Sequence, residues 1–165
     1  MAELTNLETK LGEVIGLAMA AQGATERVEK LLEPKQKRVL GPQLKQMRQE
    51  ATEAEKRGTE VAGNLKGKKS AVLKKARETR TKAQAMMKNY LERGSDALDG
   101  FEFLAMAEAG EVGHWSVLGE MNKKAGNREI RSLVSWRLPI QRRHLKDVQA
   151  GALTLAANED PNATA

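Results

Sequence analysis

Each of the two histidines in the chain lies three residues after a side chain that carries a carboxylate or the matching amide. The first motif is Glu111-Val-Gly-His114, with Glu108 about one turn earlier, and the second is Gln141-Arg-Arg-His144. Residues three positions apart are neighbours on one helix face, so each motif presents two polar groups together. Carboxylate oxygens and imidazole nitrogens are ligands for iron, manganese and related metals. The spacing therefore predicts candidate metal ligands on two helices.

A metal-free interpretation fits the same positions. A buried layer of Gln22, Glu108, Gln141 and His144 could fix the register of the helices through hydrogen bonds alone. The intact Glu-x-x-His motif could equally pair with a basic residue at the rim of the fold. The sequence leaves the metal site and the structural layer open as alternatives.

The composition excludes several classes of protein and site. The chain has no cysteine, so it has no disulfide, thiolate zinc site or iron–sulfur cluster. It also lacks a phosphate-binding glycine loop and a hydrolase triad motif. No run of about 18 apolar residues predicts a membrane span, and the first residues do not have the pattern of a signal peptide. We therefore expect a cytoplasmic protein.

Apolar residues recur at intervals of three and four along five segments, which predicts an all-α chain. Aromatic residues make up only 3% of the sequence, and an aliphatic core of this kind favours helices over sheets. We expect one domain over residues 1–157 and a disordered polar tail over residues 158–165. The predicted helices cover residues 4–33, 42–65, 70–93, 96–124 and 128–157.

The lengths of the segments constrain the topology. Short connections join the first helix to the second and the fourth to the fifth, so each pair should form an antiparallel hairpin. The third helix, at about 22 residues and about 33 Å, matches the length of such a hairpin. If it runs back along the outside, the second and fourth helices become parallel, as in a four-helix bundle with one long crossover. A plain five-helix up-and-down bundle fits the same lengths.

From Phe101 to Val148 the sequence resembles the ferritin-like superfamily, and within it the small bacterial stress-associated proteins related to rubrerythrin. The segments EFLAMAEAGEVGHWSVL and RLPIQRRHLKDV look like the third and fourth bundle helices of that group. The resemblance extends over most of the chain in helix order and loop placement. It implies a ferritin-like four-helix bundle with an extra crossover helix between the second and third bundle helices. It also implies metal binding, often of two iron ions, and a redox, stress-response or iron-handling role.

The resemblance also implies a set of metal ligands. Carried over residue by residue, these are Glu50 on the second helix and His144 on the last. The third bundle helix would contribute Glu111 with His114, or Glu108.

Two further ligand positions of the family fall on glutamines, near Gln22 and at Gln141. A neutral amide is a poor ligand for iron and cannot bridge two metals as a carboxylate does. The implied di-iron site is therefore altered or degenerate, with room for one iron or manganese ion or for no metal. Whether the protein is an enzyme stays open.

A dense basic stretch runs from Lys56 to Lys88 and includes much of the predicted third helix, and within it only Glu60 and Glu78 oppose the positive charges. This excess predicts an alternative, non-enzymatic function, which is the binding of nucleic acid or of an acidic protein partner. A homo-oligomer is a further alternative. The residues of this predicted basic surface are Lys66, Lys68, Lys69, Lys74, Lys75, Arg77, Arg80 and Lys82.

Overall fold

The computed structural model describes residues 2–164, which contain five α-helices and no strand. The prediction of an all-α chain is confirmed. Residues 157–164 form turns and irregular structure after the last helix. The helices are α1 (Asn6–Glu29), α2 (Pro34–Asn64), α3 (Lys69–Tyr90), α4 (Ala97–Ala125) and α5 (Arg128–Ala156).

Local sequence signals set most of the helix ends. Thr5 and Glu8 form a reciprocal capping box at the start of α1, and Asp96 caps α4. Gly126 ends α4 with a φ of 69°, a left-handed conformation that glycine adopts without steric cost. Asn127 then accepts a hydrogen bond from the backbone N–H of Ile130 and begins α5. The predicted α4–α5 connection is confirmed.

The second helix begins earlier than predicted. Proline is disfavoured inside a helix, so Pro42 was expected to begin α2. Instead α2 begins at Pro34, whose ring suits the first turn, and Glu33 and Gln36 form a capping box there. Pro42 lies inside the helix at an exposed position. The helix therefore continues through Pro42 despite the loss of one backbone hydrogen bond there.

Helix α1 packs against α2, α3 and α4, while α5 packs against α2 and α4. The neighbours among α1, α2, α4 and α5 run antiparallel, because low residue numbers on one helix meet high numbers on the other. The contacts that show this are Arg48 with Glu29 and Gly58 near Ile15 (α1–α2), His114 with Lys10 and Gly100 near Val28 (α1–α4), Gln43 with Asp147 and Asn64 with Glu129 (α2–α5), and Gly119 near Val134 and Gly151 near Phe101 (α4–α5).

Helix α3 lies close along α1 and runs parallel to it, with Gly12 near Val72 and Gly16 near Ala76. A Cβ atom at Gly16 would collide with the backbone carbonyl of Ala76. The two glycines of α1 therefore allow α3 to approach at backbone distance. The opposite face of α3 is left to solvent.

The interior contains two apolar clusters, one toward each end of the helices. Burial of each large apolar side chain contributes about 1.5–3 kcal/mol. Among residues 2–164, no helix is both long and apolar enough to cross a membrane. The first cluster includes Leu11, Ile15, Ala54, Val72, Trp115, Leu118 and Ile130, and the second includes Val28, Leu44, Met47, Phe101, Leu104 and Val148.

Candidate functional site

A layer of buried polar side chains, hereafter the polar layer, lies between the two apolar clusters. It consists of Glu108 and Glu111 from α4 and Arg137, Gln141 and His144 from α5. Within each helix the members are three or four residues apart, so they project from one face toward the interface between α4 and α5. Arg137 and Gln141 are completely buried.

The members of the polar layer are connected by short contacts. Gln141 Nε2 donates a hydrogen bond to Glu108 Oε2, and His144 Nδ1 lies 3.5 Å from the same oxygen. Arg137 Nη2 lies 3.9 Å from Glu111 Oε2. Arg137 Nη1 also donates to the backbone carbonyl oxygen of Glu50, at 3.1 Å. The layer thereby connects α4 to α5 through side chains and α5 to the backbone of α2.

Burial changes the protonation of the two carboxyl groups. It raises the pKa of Glu108 to about 7, while Arg137 and the hydrogen bond from Gln141 oppose the rise. It raises the pKa of Glu111 to about 8, helped by the adjacent Glu108 carboxyl and opposed by Arg137. The pair therefore retains a proton near neutral pH. One remaining negative charge then balances the guanidinium of Arg137.

The imidazole of His144 is neutral at the same pH. Burial lowers the pKa of His144 to about 4, and the nearby Arg137 lowers it further, while Glu50 opposes the shift. A neutral imidazole does not change the net charge of Arg137 and the two carboxyl groups. The polar layer as a whole is thus close to electrically neutral.

Glu50 reaches the edge of the polar layer from α2 but is only partly buried. Its carboxylate forms an ion pair with Arg143 at the surface. One of its oxygens lies 3.7 Å from His144 Nε2. Glu50 is therefore shared between the polar layer and an exposed arginine.

His114 lies outside the polar layer, although Glu111 three residues earlier lies within it. Its Nδ1 is 3.3 Å from Lys10 Nζ and 3.6 Å from Glu13 of α1. Partial burial and the charge of Lys10 lower the pKa of His114. Positions three apart differ by about 60° around a helix. Glu111 therefore projects toward α5, whereas His114 projects toward α1.

Gln22 does not join the polar layer either. Its Nε2 donates to the Glu55 carboxylate, and its Oε1 accepts from the Thr52 hydroxyl at 3.0 Å. These contacts lie between α1 and α2 at a partly buried position. The metal-ligand position that the resemblance implies on the first helix is therefore occupied by Gln22. Its side-chain amide forms hydrogen bonds to side chains of α2.

The predicted ligands do not converge on one point. His144 lies between Glu50 and Glu108 and is close to both carboxylates, whereas His114 contacts side chains of α1. Within residues 2–164, no group of three or more histidine, aspartate or glutamate side chains is arranged to hold a metal ion. A fully buried guanidinium also lies beside Glu111, and its positive charge disfavours a metal cation there. The residues present do not fit a di-iron centre.

Arg137 is the member of the polar layer that the sequence patterns did not identify. It lies four residues before Gln141 and seven before His144, so all three share one face of α5. That spacing is the signal that could have located it. Arginine is rarely buried, which made the surface the default expectation for this position.

The predicted basic surface divides into two sets. Lys68 contacts Glu8 and Lys75 contacts Glu13, so these two are turned toward α1. The other six are exposed, and only Lys74 has an acidic neighbour among the ion pairs of residues 2–164, at 4.0 Å. Those six, hereafter the α3 basic face, are Lys66, Lys69, Lys74, Arg77, Arg80 and Lys82.

In comparisons with known proteins, no protein-family model, no curated protein and no solved structure matches this chain.

Proposed function

We propose that the chain is a ferritin-like four-helix bundle formed by α1, α2, α4 and α5, with α3 as the crossover helix. The directions of the helices support this proposal. Each hairpin is antiparallel, and α3 runs parallel to α1 along its outside. It follows that α2 and α4 are parallel. A five-helix up-and-down bundle would have the same directions, but α4 packs mainly on α1 and α5 and not on α3, and this favours a bundle with one long crossover.

We further propose that the di-iron site of this bundle is degenerate and that Arg137 supplies the internal positive charge. The observation that carries this proposal is the complete burial of the Arg137 guanidinium beside Glu111. With one proton on the carboxyl pair, the polar layer is neutral without any metal. A buried charge without a partner of opposite sign would be strongly destabilising. The proposal therefore needs both the proton on the carboxyl pair and the positive charge of Arg137.

In this proposal the polar layer is a structural element of a non-enzymatic bundle. Its hydrogen bonds join α4 to α5 and α5 to α2, so a slip of one helix by a turn would leave buried polar groups unpaired. The metal-binding and oxidative-stress roles implied by the family resemblance stay predictions.

Reconstitution with iron(II) and manganese(II) tests the degenerate site. We expect less than stoichiometric metal by elemental analysis and an unchanged melting temperature after either treatment. The matched variants are His144→Ala, in the polar layer, and His114→Ala, on the α1 side. One bound metal per chain that is lost in His144→Ala and kept in His114→Ala would overturn the proposal and restore a metal role.

A second candidate function is the binding of an anionic partner by the α3 basic face. The supporting observation is that Arg77, Arg80 and Lys82 are exposed and have no ion-pair partner within the described residues 2–164. Five of the six cations lie on α3 between Lys69 and Lys82, which is about 20 Å of helix, and Lys66 precedes the helix. Cations spaced along such a length suit the phosphate backbone of a nucleic acid, and an acidic protein is the alternative partner.

Salt-dependent binding to duplex DNA tests this second candidate. If about six phosphates are contacted, affinity should fall about 1,000-fold between about 50 and 200 mM salt. The combined variant Arg77→Gln, Arg80→Gln and Lys82→Gln should reduce that salt dependence. A matched control removes three exposed cations elsewhere, Lys124, Arg131 and Arg142. Equal losses in both variants, or binding that is insensitive to salt, would contradict the assignment to α3.

A further inference from the structure

An exposed apolar stripe, hereafter the α4 stripe, runs along one face of α4. Its larger members, Met106, Val117 and Met121, are 53%, 42% and 38% exposed. At about 100° per residue, Met106, Gly113 and Val117 lie within about 40° of one another around the helix. Helices α1 and α5 pack on other sides of α4. The α4 stripe comprises Met106, Ala109, Gly110, Gly113, Val117 and Met121.

Two exposed glycines lie in the middle of the α4 stripe. Glycine inside a helix lowers the stability of the helix relative to alanine, and it allows another chain segment to approach closely. Gly16 of α1 has such a neighbour in the backbone of α3. A Cβ atom added at Gly110 or Gly113 would meet nothing within 4 Å. Contacts within residues 2–164 therefore do not account for these two glycines.

The charges beside the two ends of the α4 stripe have opposite signs. Glu102 lies one turn before Met106, and Lys124 lies just after Met121, and both charged side chains are exposed. Each is eleven positions from Gly113. An antiparallel copy of α4 centred on Gly113 would therefore place Glu102 opposite Lys124 at both ends. A parallel copy would place like charges together.

We propose that a second copy of this chain docks on the α4 stripe, with the two α4 helices antiparallel across a twofold axis at Gly113. Every contact then occurs twice, as in other isologous dimers. Met106 of one copy lies near Met121 of the other, and the glycines allow the helices to approach closely. The charge pattern selects a second copy as the partner, because the antiparallel helix is complementary to itself. This interface goes beyond the proposed roles of the polar layer and the α3 basic face.

Sedimentation equilibrium of the full chain over a wide range of protein concentration tests the proposal. We expect a reversible monomer–dimer equilibrium with a dissociation constant of about 1–100 μM, because one pair of helices buries less than a standard interface of about 1,200–2,000 Å². The chain carries a net charge of +6, so two copies repel each other at low salt. The measurement therefore uses about 0.15 M salt, which screens that repulsion.

A lysine at the twofold axis tests the position of the interface. Gly113→Lys brings two ammonium groups together and should weaken the dimer at least about tenfold. Gly23→Lys is the matched control, because Gly23 is also an exposed helical glycine with nothing within 4 Å of an added Cβ atom, but it lies on α1. Both variants add the same charge. Neither should lower the helix content of the monomer, which circular dichroism measures.

An exchange of charges tests the antiparallel register. Glu102→Lys and Lys124→Glu should each weaken the dimer about threefold or more, because symmetry removes two exposed ion pairs at once. The double variant restores both pairs with their signs exchanged. Its dissociation constant should return to within about twofold of the wild-type value.

Three results would overturn the proposal. The first is a wild-type chain that stays monomeric at the highest concentration. The second is an equal dissociation constant for Gly113→Lys and Gly23→Lys, which would place any dimer interface elsewhere. The third is a double charge variant that dimerises no more tightly than the two single variants, which would exclude the antiparallel register.

Discussion

Two regions of this molecule carry concentrated charge and are built in opposite ways. The polar layer contains four ionisable groups, and all four are buried. The α3 basic face contains six cations in solvent, and only Lys74 has an acidic neighbour among the described ion pairs. The contrast separates two roles of charge. Buried charge constrains how helices pack, whereas exposed charge is available to a partner.

Loss of a charged side chain should cost more stability in the polar layer than on the α3 basic face. Loss of one member of a buried ion pair costs about 3–5 kcal/mol, because the other charge stays in a medium that solvates it poorly. Exposed pairs contribute about 0–1 kcal/mol, since water and salt screen them. Mutations should therefore affect stability in the polar layer and recognition on α3.

The largest expected effect is that of Arg137→Leu. It leaves Glu108 and Glu111 without their internal cation, so the free energy of unfolding should fall by about 3–5 kcal/mol at about pH 8. The loss should be smaller near pH 6, where both carboxyl groups are protonated. Urea unfolding at the two pH values measures both. Arg142→Leu, exposed on the same helix, should change stability by less than about 0.5 kcal/mol. Similar losses in both variants would remove the distinction between the two regions.

The second effect concerns how α3 is attached. Gly16→Ala introduces a Cβ atom against the backbone carbonyl of Ala76, which can move only if the helices separate. We expect a loss of about 1–3 kcal/mol, as for other overpacked sites. Gly23→Ala is the control on the same helix, where an added Cβ meets nothing within 4 Å. It should gain about 0.5–1 kcal/mol from helix propensity. Hydrogen exchange of α3 should increase in Gly16→Ala alone.

Local patterns in the sequence predicted the five helices and identified four of the five members of the polar layer, which are Glu108, Glu111, Gln141 and His144. Asp96, Gly126 and Asn127 have well-defined capping chemistry, so those helix ends could be identified in advance. Glu108 and Gln141 lie among apolar residues at helical spacing, and both are buried as the spacing indicates.

Other features depend on tertiary contacts that no local pattern contains. The inward turn of Arg137 depends on Glu111 of α4 and on the backbone carbonyl of Glu50 in α2. The outward turn of His114 depends on Lys10 and Glu13, about a hundred residues earlier. The family motif therefore located the right stretch of α4 but not the partners of each side chain.

The third effect is a dependence of stability on pH. The folded protein holds protons on Glu108 and Glu111 more tightly than the unfolded chain, where the carboxyl pKa is near 4.5. The stability they contribute is therefore complete below about pH 4.5 and is lost as pH rises through about 7 and 8. The lowered pKa of His144 acts in the opposite direction, but only between about pH 4 and 6.5.

Above about pH 6.5 only the carboxyl pair contributes to this slope. We expect the free energy of unfolding to fall by up to about 1.4 kcal/mol per pH unit for each proton lost. Glu111→Gln resembles the protonated side chain and should flatten the curve between about pH 6.5 and 8.5. Denaturant unfolding over that range measures the slope. An unchanged slope in the variant would show that Glu111 is not the group that titrates.

The smallest expected effect is on the α3 basic face. Replacement of Arg77, Arg80 and Lys82 by Gln removes exposed charges without ion-pair partners among the described residues, so stability should change by less than about 0.5 kcal/mol per site. Any change should be a gain at low salt, because the six cations repel one another and salt screens that repulsion. Melting curves at about 20 and 500 mM salt measure the difference, which should vanish at the higher concentration. A loss of stability that persists in high salt would mean that these side chains support the packing of α3. The contrast between a structural interior and a surface free to bind a partner would then no longer hold.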